Sequence, residues 1–216
     1  MKTPTLLLVA SVAVVCGFLP ASAKPARPSS LTEADLRMCM GFAGADAKVQ
    51  IATCSKIINS GRVKHPHESE YYAYRAGAYM AIGDAGQALT DLSKAVSIQD
   101  KPDFRFQRAL AYMAANDLGA AQSDLDQVTR TKADFAPAYF MRGVIKFRLA
   151  EFAKAETDFD KAYSLLPSYY QALFARGVSR IKLDNADKGQ ADVREARGMS
   201  SHADDDLRKL GIEAPG

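Results

Sequence analysis

The chain has 216 residues, 48% hydrophobic and 25% charged, room for one ordinary domain or one short solenoid. Its 28 basic and 25 acidic side chains give a formal charge of +3. No helix carries a basic run, so the balance makes no electrostatic case for nucleic acid or an anionic bilayer.

Lys2, an apolar run from Leu6 to Leu19 and the small residues Ala21-Ser22-Ala23 read as a secretory signal peptide over 1–23, cleaved after Ala23. An N-terminal anchor is the weaker reading, because the run is shorter than the ~20 residues a membrane-spanning helix needs. A lipoprotein acylated at Cys16 is a further alternative. The expected location is the periplasm or the medium, with no stable membrane insertion after cleavage. Losing residues 1–23 removes one Lys and no acid, which leaves a charge near +2. Residues 24–30 (KPARPSS) form a flexible lead.

Residues 31–61 read as a helical hairpin. A short helix spans Leu31 to Met40, Phe42 to Ala45 turn the chain, and Asp46 caps a second helix that reaches about Asn59. Cys39 and Cys54 remain after cleavage, and Cys54 stands where Leu92 stands in the later pattern. A disulfide stapling the hairpin is the favoured reading, worth about 3 kcal/mol by loop closure. Two buried thiols or a redox pair are the alternatives, the latter without the close CxxC spacing.

Beyond a polar connector at 62–68 the sequence repeats itself. Arg75, Arg108, Arg142 and Arg176 follow at steps of 33, 34 and 34 residues, and Asp91, Asp124, Asp158 and Asp192 at the same steps. An equal period in two residue types, with apolar positions moving alongside, marks a structural repeat. The units are 69–102, 103–135, 136–168 and 169–199, each a pair of helices. Their helices are expected near 69–82 and 85–98, 103–115 and 118–131, 136–149 and 152–165, and 169–183 and 186–198. Small residues recur where paired helices must touch: Ala76, Ala109, Gly143 and Gly177 on the first helix, and Ala88, Ala121, Ala155 and Gly189 on the second. Leu92, Leu125, Phe159 and Val193 fill the space between. A short capping element over 201–211 would cover the last unit with Leu207 and Leu210.

With these residues in hand, the units resemble tetratricopeptide repeats. The likeness rests on the 34-residue step, the small residue in the first helix, the alanines of the second, and Pro167 closing unit three. It is nearest the Arg-Gly/Asp variety: Arg142-Gly143 with Asp158 and Ala162, and Arg176-Gly177 with Asp192 and Ala196. The opening CMGFAGADAKVQIATCSKIINSG resembles the two-cysteine leader of exported proteobacterial, periplasmic proteins of that group. Unit two departs most, with Arg105 at the early aromatic place and Asn116 at the turn glycine. The resemblance implies an all-α, right-handed superhelical solenoid of antiparallel helix pairs that binds protein and performs no chemistry.

Each Arg–Asp pair is 16 residues apart, the separation of facing positions in such a hairpin, and reads as a structural clip. The concave face would present Phe106, Leu110, Met113, Phe140, Val144, Phe147, Phe174, Val178 and Ile181, bordered by Arg148 and Lys182. Left open, that stripe suits an unidentified protein or peptide laid in it as an apolar helix or extended segment. Packing within the chain and a homodimer face are the competing readings. Some tetratricopeptide cochaperones grip a carboxylate with Lys and Asn on this face. Here Ala73, Gly77, Phe106 and Leu110 occupy those places, which disfavours that mode. His65, His67 and Glu68 are the only stretch resembling metal ligands, without a third preorganised donor. GxSxG, HExxH, GxxxxGK and GxGxxG motifs are missing from the sequence, so no catalysis, metal or cofactor is expected, and an enzyme of unrecognised class is the remotest alternative.

Overall fold

A computed structural model describes residues 31–214 except 43, 45 and 66. The expected signal peptide, the lead at 24–30 and Cys16 lie outside the described residues.

Every described element is an α-helix. The hairpin consists of α1 (Glu33–Cys39) and α2 (Ala47–Asn59). Four pairs follow: α3 (Glu68–Ala81) with α4 (Ala85–Ile98), α5 (Pro102–Ala114) with α6 (Leu118–Thr131), α7 (Ala136–Arg148) with α8 (Phe152–Leu165), and α9 (Tyr170–Lys182) with α10 (Ala186–Met199). Each second helix also packs on the first helix of the next pair, so the chain is a solenoid of antiparallel helix pairs. A short helix, α11 (Ala203–Arg208), ends it.

Local chemistry starts and stops these helices. Asp46, Asp84 and Asp117 cap α2, α4 and α6, their carboxylates accepting backbone N–H groups two or three residues on. Pro102 opens α5 and Pro137 lies in the first turn of α7, where a missing N–H costs nothing. Every first helix ends in a left-handed residue: Gly83, Asn116, Ala150 and Asp184, with φ of 79°, 61°, 59° and 59°. The next N–H then reaches back to a carbonyl five residues earlier, as in Asp84 to Tyr79 and Glu151 to Lys146, both 2.9 Å. The turn geometry repeats; the glycine does not.

The core is the interior of each pair. Ala76, Ala109, Ala88, Ala121 and Ala155 are buried, with Leu92, Leu125 and Phe159 between them. Unit four is tightest. A Cβ placed on Gly177 would lie 2.6 Å from the Gly189 carbonyl oxygen, so α9 and α10 approach backbone to backbone.

At the N-terminal end Cys39 and Cys54 form a disulfide with Cα atoms 4.9 Å apart, both sulfurs fully buried beside Ile57 and Tyr71. Thr32 and Asp35 form a capping box on α1, and Lys56 of α2 bonds both Asp35 oxygens at 2.9 Å.

Candidate functional site

Charged pairs run through the array as a ladder. Arg142 donates from Nε and Nη2 to the two Asp158 oxygens at 2.8 and 2.6 Å, a bidentate bond between α7 and α8. Its Nη1 turns to the preceding unit and donates to Asp126 at 2.9 Å and Thr129 at 2.8 Å. Arg176 does the same, holding Asp192 at 2.8 and 2.9 Å and Asp160 at 2.6 Å. Arg75 grips Asp91 at 2.7 Å twice and reaches Ser55 of the hairpin at 2.9 Å. Arg108 holds Asp124 at 2.7 and 2.8 Å.

A second cation joins three of the four carboxylates. Arg105 meets Asp124 at 2.8 Å, Lys146 meets Asp158 at 2.7 Å, and Arg180 meets Asp192 at 2.7 Å. The hydrogen bond to Asp158 pushes the Arg142 guanidinium far above its already high range, and Asp192 does this for Arg176. These groups stay charged at any pH the fold survives. The ladder splices helix to helix and unit to unit. Sequence reasoning paired residues only within a unit and missed Asp126, Asp160, Lys146 and Arg180. All four recur at the 34-residue step, which is the signal that could have found them.

The concave stripe is where expectation and structure part. Phe140, Val144, Phe147, Phe174 and Val178 are buried, at 0 to 9% exposure, and so offer no open trough. Neighbouring helices fill part of the stripe, and the C-terminal segment fills the rest. Ala203, Leu207 and Ile212 are fully buried in the same cluster as Phe140, Phe174 and Val178. Ile181, Met113, Leu210 and Ala214 pack around them, half-buried. Phe106 stacks edge-on against Phe135 at 5.0 Å. Leu110 is half-buried, and Arg148 and Lys182 are exposed. With the segment in place, Phe140, Phe147 and Phe174 are closed to a second copy as to any other chain.

The segment enters the concave face through a built turn. Ile212 N–H bonds the Leu207 carbonyl and Gly211 N–H bonds that of Arg208, both at 2.9 Å, with Gly211 at φ +80°. This Schellman arrangement brings Ile212 back beside Leu207. Ile212 therefore takes the second buried place that the sequence reading gave to Leu210. The polar ties are Arg197 to Asp204 at 2.8 and 2.6 Å, and the Tyr170 hydroxyl to Asp206 at 2.6 Å. That hydroxyl, then Lys209, holds the Asp206 carboxyl below its usual range, and Arg197 does the same for Asp204.

Two cavities flank the segment. One, of about 510 Å³, lies between Met113 and Ala114 of α5, Val144 and Arg148 of α7, and residues 208–211. The other, of about 500 Å³, lies between Phe147, Phe152, Arg148, Lys182 and Glu213. Residues from three first helices line them, so both belong to the concave side. His65 and His67 are exposed, and no group of three or more His, Cys, Asp or Glu among the described residues is placed to hold a metal ion.

The profile of the tetratricopeptide repeat matches residues 136–169, the third helix pair. No curated protein sequence matches the chain. Among solved structures it is similar to a crystal structure of MamA at 19% identity and TM-score 0.66, over 79% of this chain and 95% of that one. A second MamA structure gives 17% and 0.67 over 85% and 97%. MamA from Desulfovibrio magneticus RS-1 gives 12% and 0.70 over 84% and 99%. At these identities the likeness is one of fold.

The comparisons also correct one expectation. The solenoids matched are structures of MamA, and on that finding the exported-family reading and the periplasmic or secreted location are withdrawn. The fold class stands: an all-α solenoid of helix pairs, one of which, residues 136–169, matches the tetratricopeptide repeat.

Proposed function

We propose that this scaffold takes a short segment of another protein into its concave face, at the cavities bounded by Met113, Val144, Phe147, Arg148 and Lys182. The observation that carries this reading is the C-terminal segment itself. The concave layer of units three and four already buries two aliphatic side chains of a short helix and its turn, Leu207 and Ile212, completely. A surface that accommodates such a segment has the shape and apolar lining of a helix-in-groove site. Unit two extends that surface with Leu110 and Met113, both partly accessible. The exposed cations Arg148 and Lys182 at the rim favour a segment with acidic flanks.

The reading is tested by placing a photo-reactive amino acid at position 113 of the full chain and irradiating it in cells of its source. A discrete cross-linked protein, lost when Arg148→Glu is added to a chain that stays folded, is the expected result. Cross-linking no different from that of a probe at exposed position 154 on α8 ends the proposal.

A further inference from the structure

We infer that residues 203–214 act as a built-in competitor for that groove, and that the external segment it excludes shares their chemistry: an acidic first helical turn followed by two aliphatic anchors. The inference rests on the groove reading above and deepens it by naming the kind of partner.

Three observations carry it. The anchors are those of a bound ligand: Leu207 and Ile212 are fully buried, while Asp205 before them and Arg208 and Lys209 between them face solvent. The polar contacts are of the exchangeable kind. Arg197 and Asp204 are 47% and 40% exposed in their side chains, and water can replace each partner when the pair parts. Finally, the segment does not fill its site. Two open clefts run along it, so solvent already reaches the edges of the segment.

Charge supplies the direction of recognition. The receiving surface offers Arg197, which holds Asp204, and the Tyr170 hydroxyl, which bonds Asp206, while Glu213 lines one cavity together with Arg148 and Lys182. An external helix with acids in its first turn gains the Arg197 pair and the Tyr170 hydroxyl bond that the internal segment gives up. A basic segment would meet three cations there. The leash between α10 and α11, residues 200–202, keeps the competitor at high effective concentration, so it is bound by default. An apparent affinity for an outside segment is lowered by the fraction of time the groove is occupied.

The probe is a fluorescent synthetic peptide of residues 200–214, titrated by anisotropy onto the full chain. Wild type is compared with Ile212→Asp, which removes one anchor, and with Asp204→Asn/Asp206→Asn, which weakens only the polar ties. The expected result is binding at least ten-fold tighter to Ile212→Asp than to wild type, with the double variant between them. A peptide carrying Leu207→Asp should bind at least ten-fold more weakly. Equal affinity for wild type and both variants overturns the competitor. So does the absence of peptide binding to variants that keep their helical circular dichroism. If Ile212→Asp fails to fold, the double variant alone decides on the same criterion. A wild-type dimer that the peptide dissolves overturns the outside partner in favour of a second copy. Cross-linking at position 113 that persists when the peptide experiment fails leaves the groove reading intact and removes only this inference.

Discussion

Asp158 shows what a repeated residue does when its neighbours repeat with it. Its two oxygens accept from Arg142 and Lys146, and its side chain is 4% exposed. Asp158→Ala leaves two cations facing each other in a partly buried site. Breaking a buried pair in this way costs about 3 kcal/mol. For a chain of this size that lowers the melting temperature by roughly 6–12 °C, readable by thermal circular dichroism, while peptide binding at the concave face is retained. An unchanged melting temperature refutes the clip.

Asp35 behaves differently, because its environment tunes a proton. The Thr32 backbone N–H, Lys56 and the Thr32 hydroxyl hold its carboxyl down to about 2 from an ordinary 3.8. A depressed folded-state pKa contributes stability above the unfolded value, and that contribution is lost as pH falls from about 4 to 2. The hairpin signals in near-ultraviolet spectra should therefore weaken over that window, and Asp35→Asn should flatten the dependence. A wild-type profile identical to that of Asp35→Asn counts against the assignment.

Among the elements, the turns and the close helix pair make opposite demands on small residues. Ala150 sits at φ 59°, where a Cβ costs roughly 1 kcal/mol. Ala150→Gly should raise stability by several tenths to about 1 kcal/mol in urea titration. Gly177→Ala should act the other way, since its new methyl meets the Gly189 carbonyl and the Asp192 side chain. Overpacking of that kind costs about 1–3 kcal/mol, more than the helix propensity an alanine gains. Equal behaviour of the two variants would contradict the backbone contact.

The hairpin carries the covalent element. Its 15-residue spacing makes the disulfide worth about 3 kcal/mol. Because both cysteines are fully buried, reduction should proceed only through local opening, and should loosen α1 and α2 before the array. Hydrogen exchange with and without reductant checks the order.

At the scale of the molecule, the helices were legible because period and punctuation agreed. α4, α6 and α8 start and stop where the sequence placed them, behind Asp84, Asp117 and Glu151. The concave stripe was legible as an apolar face but not as a filled one. Periodicity reports which side of a helix is apolar; it carries no information about what arrives there from elsewhere in the chain. Gly211-Ile212, short and without period, gave only the hint of a glycine in reach of a left-handed turn. The exported location, read from the signal-peptide pattern at 1–23 and supported by the two-cysteine resemblance, is withdrawn on the MamA likeness.

The Arg142 splice has one more consequence. It reaches Asp158 sixteen residues forward and Asp126 sixteen residues back, and Arg176 repeats that reach with Asp192 and Asp160. Excising residues 136–169 would slide Arg176 onto the place of Arg142 with Asp126 still sixteen residues behind it. At this joint the splice is thus indifferent to the presence of the third unit, because its removal leaves the charged partners matched. The excised chain should remain helical and melt cooperatively by calorimetry, as expected of units that recognise only their nearest neighbours.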